Sequence, residues 1–299
     1  MYKIALLLIL FTLLISCRST PDAPLPTPTP QQPLVFDGDS AFSYIEAQTR
    51  MGPRYPGSEG HVELRNYIID ELTALGWEVE QQEFEIHGFD AMNIIAKANQ
   101  NPGRELYLIG AHYDTRARAD ESPGQESTPV IGAVDGGSGV GVLLELARTL
   151  DLENMRAEVW LTFFDVEDNG NHGIAGWDWI HGSTFMAANL GRLPDGMILV
   201  DMVGQQQQEL FYEGNSSTEL RADLWQLAAE LGYGQSFIPQ VRHTMIDDHI
   251  PFLRRGIPSV DIIDFDYPYW HTVEDTLDKV SPEKLEEVGR VLQVWLELR

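Results

Sequence analysis

The chain has 299 residues, of which 46 are acidic and 20 are lysine or arginine, so its formal net charge is −26 at pH 7. This acidic balance argues against nucleic acid as a partner, because phosphate backbones attract basic surfaces. Hydrophobic residues make up 43% of the chain, which is enough to fill a sizeable core, and residues 34–299 have the length of a single domain.

The first 16 residues predict a lipoprotein signal peptide. Lys3 provides the positive start, and the stretch 4–15 is apolar apart from Thr12 but too short to span a bilayer comfortably. A small residue, Ser16, then precedes Cys17, as in signals whose cysteine is exposed by cleavage and acylated. An ordinary secretory signal and a retained N-terminal anchor are the alternatives.

Cys17 is the only cysteine of the chain, which excludes an intramolecular disulfide. Residues 18–33 contain six prolines among polar residues, and such a composition cannot bury a core. Residues 17–33 therefore predict an acylated cysteine followed by an extended tether. We expect an exported bacterial lipoprotein, anchored to a membrane in the periplasm or at the cell surface.

Strand-like and helix-like patterns alternate along the rest of the chain. Apolar residues at helical spacing predict helices over 58–75, 139–150, 220–231 and 282–298, and alternating or continuous apolar runs predict strands over 77–86, 92–98, 106–111, 158–164, 197–203 and 259–263. This α/β order is typical of a domain with a largely parallel central sheet.

Polar residues lie at or near the ends of three of these strands. His112 ends the third strand, Glu167 and Asp168 follow the fourth, and Asp201 lies in the fifth. Ligands of open α/β sheets bind beyond the carboxyl ends of the strands. We therefore expect these four side chains to converge on one crevice.

Five side chains are candidate metal ligands in chain order: His112, Asp135, Asp168, Asp201 and His271. Taken singly, each residue is more often an ordinary polar residue of a turn or a core. Together, imidazole and carboxylate groups suit zinc. A neighbouring carboxylate that is not a ligand, such as Glu167, then has a role as a general base close to the metal.

The sequence blocks around these residues resemble the zinc-dependent aminopeptidase superfamily, which also contains the animal-type glutaminyl-peptide cyclotransferases. The resemblance covers the chain from about residue 40 to the C-terminus. It implies a zinc-dependent catalytic domain over 34–299, folded as a single α/β/α sandwich around a twisted, largely parallel mixed sheet.

Two features favour the cyclotransferase branch. The segment 247–258, Asp-Asp-His-Ile-Pro-Phe-Leu-Arg-Arg-Gly-Ile-Pro, is close to the cyclase signature, whereas aminopeptidases usually carry a looser Ser-Asp-His-x-x-Phe pattern. Trp270 directly before His271 also resembles the cyclase pattern. The implied reaction converts an N-terminal glutamine of a peptide or protein to pyroglutamate and releases ammonia.

The resemblance also implies roles for individual residues and for the partners. One zinc ion is expected per chain, on Asp135, Asp168 and His271. A hydrogen-bonded carboxylate cluster is expected from Glu167, Asp201 and Asp247, in which Glu167 transfers the proton. The walls of the substrate pocket are expected to be Trp270, Trp177 and Trp179. The expected partners are peptide or protein N-termini and, through Cys17, a membrane, and we expect a monomer.

Asp168 departs from the animal cyclases, which have glutamate at this position, so either the backbone must come closer or the metal must shift. All five peptidase-type ligands are also present. The alternative is therefore a two-zinc aminopeptidase, with His112 and Asp201 as ligands of the second metal. A catalytically inactive, surface-tethered binding protein is the more remote alternative.

Overall fold

The computed structural model describes residues 33–98 and 100–299. The predicted signal peptide, Cys17 and all of the predicted tether except Pro33 lie outside the described residues. The described helices are α1 (Gly38–Arg50), α2 (Glu59–Ala74), α3 (Gly137–Thr149), α4 (His181–Ala188), α5 (Thr218–Glu230), α6 (Ile250–Arg254) and α7 (Pro282–Glu297), with a 3-10 turn at Leu277–Lys279; the strands are β1 (Glu78–Ile86), β2 (Phe89–Ala98), β3 (Leu106–His112), β4 (Glu158–Phe164), β5 (Gly196–Asp201), β6 (Leu210–Tyr212), β7 (Phe237–Val241) and β8 (Ser259–Ile263).

Six of the described strands form the central sheet, in the order β1-β2-β4-β3-β5-β8. The four strands from β4 to β8 in this order run parallel, while β1 and β2 pair antiparallel at one edge. The predicted largely parallel mixed sheet is thus confirmed. Strands β6 and β7 form a separate two-stranded parallel pair.

Helices cover both faces of the central sheet, which gives three layers. Alternate residues of β3 belong to different cores: Ile109 packs in the core that contains residues of α1, α2, α3, α5 and α7, whereas Leu108 packs in the core that contains residues of α4 and α6. Every residue of β3 and β5 is consequently buried. Continuous apolar runs are characteristic of such doubly covered strands.

Helix α3 can lie very close to the sheet because it begins with glycines. A Cβ atom at Gly139 would collide with the carbonyl oxygen of Val200 in β5, and one at Gly141 would lie 2.9 Å from the carbonyl oxygen of Ala41 in α1. Gly136, immediately before the helix, has φ 80°, a conformation that glycine adopts without a steric penalty. This close packing places Asp135 beside the carboxyl end of β5.

No helix in the described part of the chain combines the length and the apolar character needed to cross a membrane.

Candidate active site

A cavity of about 270 Å³ opens at the carboxyl ends of the parallel strands. Its lining includes most of the side chains singled out from the sequence, namely Asp135, Glu167, Asp168, Trp179, Asp201, Asp247, Trp270 and His271, together with Met202, Met245, Ile246, Ile263 and Phe265. Of the four side chains expected to converge on one crevice, Glu167, Asp168 and Asp201 line this cavity. The fourth, His112, does not line it but is buried against Asp135 and Asp201.

Three of the six described residues other than glycine that have a positive φ lie at this cavity or next to one of its lining residues. Val166, Met202 and His271 have φ values of 58°, 41° and 56°, in the left-handed region that residues other than glycine rarely adopt. Val166 precedes Glu167, and Met202 follows Asp201, so each strained residue is a candidate site residue or its neighbour. Such strain persists where the surrounding structure fixes the backbone, and it is common at functional sites.

The first ligand cluster consists of Asp135, Asp168 and His271, whose ligand atoms all lie within 4.8 Å of one another. Nε2 of His271 is 2.9 Å from Oδ1 of Asp168 and 3.8 Å from Oδ2 of Asp135. The second oxygen of Asp168 is buried and has no hydrogen-bond partner among the described residues. One imidazole, two carboxylates and an unpaired buried oxygen fit a zinc ion held by three protein ligands.

A second cluster shares Asp135 with the first and adds His112 and Asp201. Nε2 of His112 lies 3.0 Å from Oδ1 of Asp201 and 3.2 Å from Oδ1 of Asp135. The Nδ1 atom of His112 lies 3.1 Å from the carbonyl oxygen of Asp114, so Nδ1–H donates there and Nε2 faces the carboxylates. The geometry needed for a second metal ion is thus retained.

Glu167, Asp201 and Asp247 lie on the same cavity, but among the described residues no hydrogen bond joins any two of them, so the hydrogen-bonded cluster implied by the resemblance stays a prediction. Burial, followed by the charges of Asp247 and Asp248, raises the pKa of Glu167 well above its usual range. Burial and the charge of Asp201 likewise raise the pKa of Asp247. Nitrogen atoms lie at hydrogen-bond distance from Asp201 and Asp247: Nε2 of His112 is 3.0 Å from Oδ1 of Asp201, the Met202 N–H donates to the same oxygen, and the Asp248 N–H donates to Asp247.

Two of the three expected tryptophans form walls of the cavity. The indole of Trp270 stacks on the ring of His271 with a centroid distance of 3.7 Å, and Trp179 stacks on the same ring at 5.9 Å. Trp177 does not line the cavity, which corrects the expectation. Its ring packs against Phe89 and His181, because Trp177 and Trp179 project to different sides of the irregular loop after Glu167.

Two buried aspartates fix the loops that carry the metal-ligand candidates Asp135 and Asp168. Neither of them was identified from the sequence. Asp114 accepts hydrogen bonds from the backbone N–H groups of Glu167 and Asp168, at 2.9 and 3.3 Å. Asp275 accepts hydrogen bonds from the N–H groups of Val134 and Asp135, at 2.9 and 3.1 Å. The only sequence signal for Asp114 was its place two residues after His112, within the Ala-His-Tyr-Asp-Thr block.

Comparisons with known proteins agree with this geometry. Residues 93–296 match the model of peptidase family M28. A glutaminyl-peptide cyclotransferase from the snake Bothrops jararaca is 30% identical over an alignment that covers 81% of this chain and 76% of the relative.

Solved structures of two kinds are similar to this chain. The glutaminyl cyclase of Bacteroides thetaiotaomicron bound to N-acetylhistamine is 32% identical, with a TM-score of 0.83 and coverage of 89% of this chain and 99% of that one. A protein from the same organism described as a leucine aminopeptidase precursor is 31% identical, also with a TM-score of 0.83, and the alignment covers 89% and 98% of the two chains.

Proposed function

The chain belongs to peptidase family M28, and from this membership and its site geometry we propose that it is a zinc-dependent glutaminyl-peptide cyclotransferase. Its substrate is an N-terminal glutamine of a peptide or protein, and its products are pyroglutamate and ammonia. The cyclotransferases and glutaminyl cyclases among its relatives support this assignment.

The observation that carries the proposal is a small cavity with Glu167 beside the metal ligands and tryptophan walls around them. Its volume of about 270 Å³ lies below the usual range of ligand pockets, roughly 300–1,000 Å³, and suits one folded-back glutamine residue. Trp179 and Trp270 both lie against the ligand His271. They are thus placed to pack on the substrate side chain directly beside the metal.

The mechanism uses these residues in a proton transfer. A zinc ion on Asp135, Asp168 and His271 would polarise the γ-carbonyl group of the substrate glutamine. Glu167 accepts a proton as the α-amine attacks the carboxamide carbon, and it donates that proton to the departing nitrogen as the original C–N bond breaks and ammonia leaves. The raised pKa of Glu167 suits a group that must both accept and donate a proton.

Substrate orientation supplies the rest of the rate enhancement. The attacking amine and the carbonyl group belong to the same residue, so much of the entropic cost of bringing them together is met in advance. The walls formed by Trp179 and Trp270 need only hold the folded-back conformer and exclude water. Asp247, on the same cavity, can accept a hydrogen bond from the amine.

A two-zinc aminopeptidase is the second candidate, because the cluster of His112, Asp135 and Asp201 is intact. In that case Asp135 would bridge two metal ions and Glu167 would act as the base for a water molecule. The similarity to the leucine aminopeptidase precursor also favours this candidate. We propose one zinc ion per chain, and metal analysis of the purified protein should give a stoichiometry near one rather than two.

A paired assay on purified residues 34–299 tests the function. We expect ammonia and a mass loss of about 17 Da, the mass of ammonia, from a peptide that begins with glutamine, and no free leucine from a peptide that begins with leucine. Glu167→Gln should lower turnover by at least about 10²-fold, the contribution of a positioned general base. Glu63→Gln, on the exposed face of α2, is the matched control and should retain full activity. Leucine release without ammonia would instead identify an aminopeptidase.

For localisation, we propose acylation of Cys17 and attachment to a membrane through the proline-rich tether. In cells, the full chain should fractionate with membranes and incorporate labelled palmitate, and Cys17→Ser should abolish both. Incorporation of label by the Cys17→Ser variant would contradict the proposal.

A further inference from the structure

The segment after β3 carries an ion pair that the mechanism above does not use. Arg116 and Asp120 form a bidentate ion pair: Nε of Arg116 donates to Oδ1 of Asp120 at 3.0 Å, and Nη2 donates to Oδ2 at 2.7 Å. The Arg116 side chain is 1% exposed and that of Asp120 is 15% exposed. A bidentate pair shielded in this way has a fixed geometry, unlike a flexible surface pair.

Asp120 also contacts the ligand His271 on the side away from the cavity. Oδ1 of Asp120 lies 3.3 Å from Nδ1 of His271, while Nε2 of the same ring faces Asp168 at 2.9 Å. A carboxylate at Nδ1 keeps the proton on that nitrogen and leaves Nε2 free to bind a metal ion. Carboxylate partners of this kind orient metal-binding histidines and increase their basicity.

Arg116 contacts the other side of the site. Its Nη1 donates to the carbonyl oxygens of Asp168 and Gly170, at 2.8 and 2.9 Å. Its guanidinium lies over the Trp179 ring, 4.7 Å from the centroid. One side chain therefore contacts the backbone of a metal ligand, the carboxylate behind a second ligand, and a wall of the substrate cavity.

Backbone contacts fix the same segment to the loop of His271. The N–H of Glu121 donates to the carbonyl oxygen of His271 at 3.3 Å, and the N–H of Val273 donates to Oγ of Ser122 at 3.0 Å. The segment 116–122 is thus attached to both ligand loops.

We propose that Arg116 and Asp120 are positioning residues that set the zinc affinity of the site and hold Trp179 in place for the substrate. Asp120 acts through His271, and Arg116 acts through Asp120, the Asp168 backbone and Trp179. The proposal rests on the zinc site of the proposed function. It extends that function because the same pair of residues would support both zinc binding and substrate binding.

The test compares zinc dissociation constants, measured by chelator competition on the folded holoenzyme, for wild type, Asp120→Asn and Glu158→Gln. Asp120→Asn keeps the shape of the side chain but removes its charge, and zinc affinity should fall about 10- to 100-fold, as it does when partners of metal-binding histidines are altered. Glu158→Gln is the matched control, because Glu158 is a buried carboxylate paired with Arg192 at the start of β4, far from the cavity. An unchanged zinc affinity in Asp120→Asn, equal to that of the control, would overturn the proposal.

Arg116→Lys tests the second half of the proposal. Lysine keeps the charge but lacks the planar guanidinium, so it cannot contact Asp120, the Asp168 carbonyl oxygen and the Trp179 ring at the same time. Zinc affinity should therefore fall, and KM for a glutamine peptide should rise by about threefold or more, the fold-change expected when the cation no longer lies over Trp179. A lower melting temperature with unchanged KM and zinc affinity would reduce Arg116 to a merely structural residue. The zinc measurements do not depend on turnover, so a folded, zinc-binding wild type without cyclase activity would contradict the proposed function alone.

Discussion

Gly170 lies directly against the indole of Trp179, in the loop that follows the metal ligand Asp168. A Cβ atom at this position would come within 2.7 Å of Cγ and Cδ2 of Trp179. These atoms belong to the rigid base of the ring, which cannot move aside without moving the whole side chain. The absence of a side chain at Gly170 thus helps to keep Trp179 on the cavity wall.

Gly170→Ala should therefore weaken substrate binding. We expect KM for a glutamine peptide to rise severalfold and the free energy of unfolding to fall by about 1–3 kcal/mol, the usual cost of overpacking. Gly191→Ala is the matched control, because nothing lies within 4 Å of a Cβ atom there. Steady-state kinetics and urea unfolding of both variants provide the check. A destabilised Gly170→Ala with unchanged KM would show that Trp179 does not contact the substrate.

Asp168 has a shorter side chain than the glutamate expected from the animal cyclases, and hydrogen bonds fix its backbone from two sides. The Asp168 N–H donates to Asp114, and its carbonyl oxygen accepts a hydrogen bond from Arg116. These two contacts hold the backbone close enough for Oδ1 of Asp168 to lie 2.9 Å from Nε2 of His271.

At the scale of elements, Glu213 connects the end of β6 to the segment that leads into α6. Its carboxylate accepts hydrogen bonds from the N–H groups of Asn215, Ser216 and Met245, at 2.9, 2.7 and 3.1 Å. Nε2 of His249 lies 3.2 Å away. Burial raises the pKa of Glu213, but the nearby imidazole of His249 and the hydrogen bond from the Asn215 N–H outweigh this effect and lower the pKa to about 2.

This shift predicts a pH-dependent contribution to stability. Because the folded pKa lies below the ordinary value of 4.5, the stabilisation is fully present above pH 4.5 and is lost as the pH falls towards 2. Glu213→Gln should therefore cost most at pH 7, and its deficit relative to wild type should shrink as the pH is lowered from about 5 to 4. Urea unfolding at pH 7, 5 and 4 measures this.

Glu209→Gln is the control for that series. Its side chain is 53% exposed and lies 3.9 Å from Arg242, so the substitution should change stability little at any of these pH values. A Glu213→Gln deficit that stays constant from pH 7 to pH 4 would contradict the assigned shift.

Helices were predicted correctly where their apolar residues recur at regular spacing. They were missed where the buried face of the helix consists mainly of weakly apolar residues. Helix α2 begins and ends within a residue of the prediction, with Ser58 as its N-cap. Helix α1 was not predicted, because its buried face is made of Gly38, Ala41, Ile45 and Gln48, of which only one is strongly apolar. Helix α6 has five residues, too few for a periodic pattern to be detected.

At the scale of the whole molecule, the net charge of −26 predicts a preference among substrates. A negative field raises the local concentration of cationic ligands, and salt screens it, since the Debye length shortens from about 10 Å at 0.1 M to about 3 Å at 1 M. A peptide with lysines after its N-terminal glutamine should therefore have a higher kcat/KM than one with glutamates, by about tenfold at low ionic strength.

The ratio of the two kcat/KM values should approach one as sodium chloride is raised towards 1 M. A peptide of equal length with serines in these positions is the control, and its kcat/KM should change little with salt. A lysine-to-glutamate ratio that does not respond to salt would mean that local contacts, rather than the overall charge, select the substrate.

The sequence alone determined the α/β order of the body, the largely parallel sheet and the candidate ligands at strand ends. These features follow from local periodicity and from one general rule: carboxyl ends of parallel strands meet at the same edge of a sheet. His112, Asp168 and Asp201 lie far apart in the chain, yet their positions at strand ends were enough to predict that they converge.

Only the tertiary structure decided which side chains support these ligands and which tryptophans reach the cavity. Asp114, Asp120 and Asp275 are ordinary aspartates in the sequence, and their roles come from donors that lie on other loops. Trp177 and Trp179 differ only in the direction that an irregular loop gives them. Such contacts depend on the packing of distant segments, and no local pattern of residues encodes that packing.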